Sequence, residues 1–236
     1  MSLLARALLA LLVATASFAA PAETNLPDSL DVRADLSVSA EGKIVKLEFV
    51  EDLSPELEQF LRERVQSWSI KPARRDGRPV GGDTALYLRL SIEPAGKDVL
   101  VRVARASTGP RYATTTPPMY PAVAITRRHQ ALVYVTADIR ADGTVSAVSS
   151  RMLAGKGSRM AFLTAAERSV LRWRFVPERV DGLPVATRVQ IPMAFQLSGM
   201  PRLEMPELDA GLPLEPNALV ADSEFEIATD VVGRKL

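Results

Sequence analysis

Residues 67–80 read SWSIKPARRDGRPV, and residues 172–185 read RWRFVPERVDGLPV. Seven positions are identical at a constant offset of 105: Trp68, Pro72, Arg74, Asp76, Gly77, Pro79 and Val80 recur as Trp173, Pro177, Arg179, Asp181, Gly182, Pro184 and Val185. In both copies the phrase ends a helical pattern and precedes a β pattern. This repetition predicts that one small α+β unit occurs twice in tandem.

The residues around the first copy predict a hairpin and further strands. Residues 32–38 alternate apolar with polar side chains, as a half-buried strand does. A turn at Gly42 leads into a second strand over residues 44–50. The alternation returns over residues 84–92, and residues 99–103 favour a fourth strand.

A helix is predicted between the hairpin and the third strand. Ser54 is an N-cap residue, and Pro55 follows at the first helical position, where its missing N–H is not needed. Pro72 ends the helix. Its apolar face has the same spacing in both copies, because Leu57, Leu61, Val65 and Trp68 correspond to Phe162, Ala166, Val170 and Trp173.

The second copy repeats this order of elements. Strands are predicted over residues 132–139 and 144–149, and a closing strand over residues 188–197. The predicted fold class is α+β, with two tandem β-β-α-β units that each form a small antiparallel sheet packed by one helix. We expect a signal peptide at 1–22, a first unit at 30–106, a linker at 107–118, a second unit at 119–198 and a Pro-rich acidic tail at 199–236.

The charge balance argues against a nucleic-acid partner. The formal net charge is +1, too small for binding driven by phosphate neutralisation. The tail holds eight acidic and three basic residues, a net charge of −5, which leaves +6 for the rest of the chain. The proline-rich part of the tail, from Pro201 to Pro216, is predicted to be extended and loosely held. The segment at residues 225–232 is either a disordered end or a strand that pairs with an edge of this chain or of a second copy.

The N-terminus has the pattern of a targeting segment. Arg6 precedes an apolar stretch over residues 7–16, and small residues follow through Ala22, which is typical of a secretory signal peptide. We therefore expect a periplasmic protein, which associates with the inner membrane only if this segment remains uncleaved. The chain has no cysteine, which excludes disulfides and cysteine-ligated metals.

No constellation of residues predicts catalysis. His129 is the only histidine, no nucleophile-elbow glycines surround a serine, and the acidic residues are scattered or confined to the tail. We predict no enzyme activity, no cofactor and no metal. His129 follows Arg127 and Arg128; the three residues form either a solvated loop or a basic cluster that attracts an acidic partner, including the tail of this chain.

An ordered series of motifs marks the second unit. It begins with PPMYP at residues 117–121 and Ala124, continues through a turn at residues 142–143 and ends with WRFVP at 173–177, GLPV at 182–185 and IPMAF at 191–195. In order and spacing this series resembles the C-terminal domain of TonB-family energy transducers over residues 114–198. The first unit resembles a degenerate copy that lacks the Tyr-Pro element.

The resemblance implies a site that captures a strand. In this family an exposed sheet edge binds an extended segment of an outer-membrane TonB-dependent transporter by strand addition, in support of energy-dependent transport. A transporter or another envelope protein is thus the expected partner. Its expected contacts are Pro117, Pro118, Tyr120, Pro121, Arg188, Val189, Gln190 and Ile191. Pro192 removes one donor from the closing strand.

Some features depart from the family pattern. Family transducers carry an N-terminal membrane helix with a functional histidine and then a long Pro-rich spacer, whereas His129 lies in the second unit. We therefore do not expect autonomous coupling to a proton-driven motor. The alternative function is a structural or scaffolding envelope protein whose units pair with each other or form a homodimer. Tyr120 either packs against the sheet or contacts the partner, and Trp68 and Trp173 are predicted in the core.

Overall fold

The computed structural model describes residues 28–95, 98–203, 207–208, 212–213 and 219–236. The predicted signal peptide at residues 1–22 lies outside these residues. None of the helices in the described part of the chain is long and apolar enough to cross a membrane.

The first unit begins with an antiparallel hairpin of β1 (Ser29–Val38) and β2 (Ile44–Phe49). Gly42 has a φ of 78° in the connecting turn. A Cβ atom at this position would lie 2.1 Å from the carbonyl oxygen of Ile70. The predicted turn therefore requires glycine both for its left-handed backbone and for the close approach of the chain that follows the helix.

Helix α1 (Pro55–Gln66) begins where the sequence predicts. The Ser54 hydroxyl accepts a hydrogen bond of 3.4 Å from the Leu57 amide, as an N-cap residue does. Leu61 and Val65 are buried against the sheet, and Trp68 just after the helix is buried with them.

Five strands follow helix α1: β3 (Ile70–Lys71), β4 (Ala73–Arg75), β5 (Arg78–Val80), β6 (Gly82–Ala95) and β7 (Asp98–Gly109). The first sheet has the order β2-β1-β6, with β7 paired to β6 on its other side. The predicted fourth strand is confirmed and is longer than expected.

The predicted linker is partly strand. Residues 107–109 belong to β7, and β8 (Arg111–Thr114) pairs with β11 (Arg174–Val176). The reason is Tyr112, whose ring contacts Trp173 at 5.6 Å and Phe175 at 5.2 Å between centroids. Packing of this aromatic ring holds the threonine- and proline-rich stretch against the second unit.

The second unit contains α2 (Ala122–Thr126), β9 (Ala131–Ile139), β10 (Val145–Gly155), α3 (Arg159–Val170), β11, β12 (Arg179–Val180), β13 (Leu183–Pro184) and β14 (Thr187–Phe195). Its main sheet has the order β10-β9-β14, followed by β17 (Val220–Ala221) of the tail. The predicted helix face is buried, with Phe162, Ala166, Val170 and Trp173 in one cluster. Tyr120 packs against that cluster, as one of its two predicted readings requires.

The two units share a sheet and part of a core. Strand β12 pairs with β6 through Arg179 opposite Asp83 and Val180 opposite Gly82. A Cβ atom at Gly82 would lie 1.8 Å from the Arg179 carbonyl oxygen, so this close approach requires glycine. Tyr87 of β6 is buried in the hydrophobic cluster of the second unit. The whole is an α+β protein built mostly of antiparallel sheet.

Residues 219–236 of the tail are attached to the body, while most of the stretch from Pro201 to Pro216, which is predicted to be loosely held, lies outside the described residues. Strands β15 (Glu207–Leu208) and β16 (Leu212–Pro213) pair with each other, and β18 (Glu226–Ile227) pairs with β3. The predicted pairing of residues 225–232 with an edge of this chain is thereby confirmed at β18. The physical reason is the hydrophobic effect, because the tail buries the apolar side chains of Leu219, Phe225 and Val231.

Candidate strand-binding edge

Strand β14 is paired differently on its two sides. Toward β9 it is paired along its whole length, from Thr187 opposite Ile139 to Phe195 opposite Ala131. On its outer side, β17 pairs only with Val189 and Gln190. Among the described residues no other strand pairs with the outer edge, which therefore lacks a strand partner over residues 191–195.

The direction of the peptide groups determines which backbone hydrogen-bond donors and acceptors this edge offers to a partner. The Asp222 amide donates a hydrogen bond of 2.9 Å to the Arg188 carbonyl, so the peptide groups of Arg188 face the outer edge. By the alternation of an antiparallel strand, those of Gln190, Pro192 and Ala194 face the same way. Pro192 has no N–H to donate, so the edge presents a gap in its donors where the pairing with β17 stops.

A cleft of about 560 Å³ lies beside this part of β14, between the two units. From the second unit and the segment before it, Pro117, Pro118 and the stretch 192–194 line the cleft. Its other wall includes Arg33, Glu51, Tyr87 and Arg105 of the first unit, and Tyr112 of β8 also lines the cleft. The structure thus places two of the predicted contact residues, Pro117 and Pro118, next to the unpaired part of the closing strand.

The charged residues of the cleft are paired. Arg33 Nε donates to Glu51 Oε1 at 2.7 Å, and the Arg33 amide donates to the other carboxylate oxygen at 2.6 Å. Burial lowers the pKa of the Arg105 guanidinium, and nearby Asp31 opposes this shift. Electrostatic neutralisation within the wall leaves aromatic rings and prolines as the surface offered to an incoming chain.

Two tyrosines of the cleft differ in how their hydroxyl groups are satisfied. The Tyr87 hydroxyl donates a hydrogen bond of 2.7 Å to the Pro110 carbonyl. The buried Tyr112 hydroxyl has no hydrogen-bond partner in the described structure. Burial raises the pKa of both phenols, so both stay protonated in the physiological range.

Tyr120 and Pro121 do not line the cleft. The Tyr120 hydroxyl donates to the His129 carbonyl at 2.7 Å, and its ring packs edge-on against Phe162 and Phe195 at centroid distances of 5.8 and 5.7 Å. Pro121 is the N-cap residue of α2. Both residues therefore hold the start of the second unit against its core.

The predicted contact residues on β14 offer mainly their backbone N–H and C=O groups to a partner. Val189 and Ile191 are buried in the core. Arg188 is exposed and its Nε donates to Asp138 Oδ1 at 2.7 Å, which lowers the pKa of Asp138 and raises that of Arg188. Gln190 is half-buried opposite Val220 of the tail.

Two parts of this site escaped sequence reasoning. The strand β17 follows Pro216 as a short apolar run, Leu219-Val220-Ala221, and that run was the available signal. The first-unit wall of the cleft has no signal in the sequence, because it depends on how the two units pack.

The described residues contain no group of three or more histidine, cysteine or acidic side chains that could hold a metal ion. The His129 ring lies against Gly157, and its Nδ1 shares a hydrogen bond of 2.9 Å with the Ser158 hydroxyl. No recorded contact brings a carboxylate to this ring within the described part of the chain. The pair therefore lacks the orienting third group of a hydrolytic triad there.

A hairpin, a helix and a closing strand with a partly open edge define a domain suited to strand addition. Residues 116–197 match the family model described as Gram-negative bacterial TonB protein C-terminal. Over 82 residues the chain is 32% identical to Protein TonB of Vibrio cholerae serotype O1, a match that covers 35% of this chain and 32% of that protein. Residues 116–197 thus belong to the TonB C-terminal family, while the first unit and the tail lie outside the match.

Proposed function

We propose that this chain is a periplasmic TonB-like binding module that captures an extended segment of an outer-membrane transporter or other envelope protein by strand addition. The observation that carries the proposal is the outer edge of β14, which lies in the family-matched segment and is paired over only two of its residues. Such capture would support energy-dependent transport.

The edge provides affinity through backbone hydrogen bonds. An incoming strand that replaces β17 bonds to the peptide groups of Arg188 and Gln190, and one that extends further reaches Ala194. Side chains of the cleft, including Met193 and Pro118, supply selectivity for the partner. The tail competes for the first part of this edge, so its release belongs to the binding reaction.

We further infer that the first unit is a degenerate copy of the second. The matching turns have matching backbones: φ is 51° and 78° at Asp76 and Gly77, and 53° and 76° at Asp181 and Gly182. The hairpin turns also correspond. A Cβ atom at Gly42 would lie 2.1 Å from the Ile70 carbonyl oxygen, and one at Gly143 would lie 2.0 Å from that of Phe175. These likenesses support a duplication of one unit within the chain.

The second candidate is a scaffolding envelope protein. Two observations favour it: β12 of the second unit pairs with β6 of the first, and the tail already covers residues 188–190 of the β14 edge. In this case the edges serve contacts within the chain, and β2 and β10, which end their sheets, are available to a second copy.

A peptide titration followed by backbone amide NMR separates the two. The chain from residue 23 onward is titrated with extended TonB-box peptides, and we expect amide shifts at Thr115, which lines the cleft next to the two prolines, and at the non-proline residues of 188–197. Asp222→Pro removes the amide that donates to Arg188, whereas Asp222→Ala keeps it. The proline variant should bind peptide about threefold to tenfold more tightly than the alanine variant, because the tail loses one hydrogen bond of about 1 kcal/mol.

Absence of peptide binding would favour the scaffolding function. If no peptide shifts these amides in either variant, and the amides of β14 are protected from exchange in the free protein, the edge serves the chain itself. A concentration-dependent mass increase in sedimentation would then point to a homodimer through β2 or β10.

A further inference from the structure

One end of the second unit gathers three separate segments. The His129 ring meets the loop of residues 155–158, as its contacts with Gly157 and Ser158 show. The Gln130 side chain donates to the Pro201 carbonyl at 3.0 Å and accepts from the Leu197 amide at 2.8 Å. These contacts bring residues 119–130, 155–160 and 197–202 together.

This end exposes large apolar side chains. Met119 is 83% exposed, Met160 is 70% exposed, and Val123 and Ile125 on the short helix α2 are 43% and 50% exposed. Tyr120, next to Met119, contacts Phe162 in the first turns of α3, so the segments that carry these side chains are packed together. Four exposed apolar residues at one end of a unit are more than the isolated exposed residues of an ordinary surface.

The same end is basic. Its exposed cations are Arg127, Arg128, Lys156, Arg159 and Arg202. Within the described part of the chain, none of the recorded ion pairs or side-chain hydrogen bonds involves these five residues. We refer to the four apolar and five basic residues as the basic apolar end.

We propose that the basic apolar end docks on the surface of an anionic phospholipid membrane. The cations complement the negative surface potential, and the two methionines and the α2 side chains insert between headgroups. The inference goes beyond the capture of a protein segment and does not depend on it.

The state of the cations favours a lipid surface over a protein partner. A specific acidic peptide is best bound by guanidinium groups already held in a fixed direction, since ordering them on binding costs affinity. Here none of the five is held by a recorded hydrogen bond. The phosphate groups of a fluid membrane can move to pair with such cations, so no fixed geometry of the side chains is required. The alkyl chains of the Lys and Arg residues then lie along the boundary between headgroups and acyl chains.

The test is vesicle co-sedimentation of residues 23–236, which contain both hydrophobic clusters and lack the apolar stretch at 7–16 that would itself bind lipid. We expect binding to vesicles with 30% phosphatidylglycerol, weak binding to pure phosphatidylcholine, and release at high salt. Since each cation contributes about fivefold, the variant R127Q/R128Q/K156Q/R159Q, which removes four of them, should lose roughly 600-fold in partitioning.

A matched variant controls for net charge. K43Q/R78Q/R168Q/R172Q removes four exposed cations outside this end and should retain most of the binding. Met119→Ser with Met160→Ser should lower partitioning by roughly tenfold without changing the net charge, because the inserted apolar area is lost. Both methionines are exposed, so the fold should be unaffected.

Three results would overturn the proposal. The first is equal binding to neutral and anionic vesicles, and the second is an equal loss in both four-cation variants. The third is binding of an acidic, leucine-rich peptide that needs the four cations while the wild-type chain never sediments with vesicles, which would assign the surface to a protein partner. Peptide-induced shifts at residues 188–197 are a separate readout, so failure here leaves the proposed capture site to its own test.

Discussion

The hydroxyl of Ser223 in the tail donates a hydrogen bond of 2.6 Å to Oε1 of Glu178, in the loop between β11 and β12. The same oxygen accepts a hydrogen bond of 2.5 Å from Thr84 of β6, and Oε2 accepts one of 3.3 Å from the Glu224 amide. One buried carboxylate therefore joins the first unit, the second unit and the tail. The tail is held near the candidate binding edge by a group that titrates.

Glu178 should make stability depend on pH. Burial raises the pKa of its carboxyl above the ordinary value of 4.5, although hydrogen bonds from Ser223 and Thr84 oppose the shift. The folded state then holds this proton more tightly than the unfolded chain does. The contribution of Glu178 to the free energy of unfolding is therefore most favourable at acid pH and falls as pH rises from 4.5 through the raised pKa.

Glu178→Gln removes this titration and isolates its effect. Urea unfolding of both proteins between pH 4 and pH 8 should show wild type losing stability relative to the variant as pH rises, with a constant difference once Glu178 is ionised. A difference that is independent of pH across this range would contradict the assignment.

Gly109→Ala should loosen the tail from β14. A Cβ atom at Gly109 would lie 2.7 Å from the Ala221 Cβ and 3.1 Å from Leu219 Cδ2, so strand β17 must move. Hydrogen exchange of the amides at residues 220–222 should become faster. In the double variant Gly109→Ala/Ala221→Gly the closer contact is removed, and slow exchange should return in part; an unchanged rate in the single variant would count against the tight contact.

Phe225→Ala should strongly destabilise the protein. Phe225 is fully buried in the hydrophobic cluster of the first unit, and loss of a buried phenylalanine costs about 3–5 kcal/mol in free energy of unfolding. The matched control is Val232→Ala, in an exposed residue of the same tail, which should change this free energy by less than about 0.5 kcal/mol. Equal, small effects in chemical denaturation would show that the tail is not part of the core.

Tyr112→Phe and Tyr87→Phe should act in opposite directions. Removing the unpaired, buried Tyr112 hydroxyl should stabilise the protein by about 1 kcal/mol, because no hydrogen bond is lost. Removing the Tyr87 hydroxyl leaves the Pro110 carbonyl without its hydrogen-bond donor, which should destabilise the protein by about 1–2 kcal/mol. The rings contact each other edge-on at 6.2 Å, so calorimetry of the two variants compares the same environment. Destabilisation by Tyr112→Phe would mean that its hydroxyl does have a partner.

The candidate site was predictable only in part. Pro117 and Pro118 line the cleft, yet Tyr120, chosen because it lies between prolines in an extended segment, packs against Phe162 and Phe195. Nothing in the local sequence distinguishes these environments. The three residues are neighbours in the chain, and only the position of the helix and the end of β14 decides which of them faces the core.

The sequence by itself determined the elements within each unit. Turns at Gly42 and Gly77 need left-handed backbones, the Ser54 cap begins α1, and the spacing of Leu61 and Val65 places one helix face in the core. These signals act between residues close together in the chain, so they can be seen without coordinates.

Only the tertiary structure decided how the edges are used. The tail pairs with β14 and β3, and its end bonds to β7 through the Gly233 amide and the Val103 carbonyl at 2.8 Å. Strand β12 joins β6 in the same way. Every residue except proline carries the N–H and C=O groups that make such bonds, so pairing between distant strands leaves little mark in the sequence. Which edge is filled, and which remains for a partner, depends on where the packed cores bring the chain.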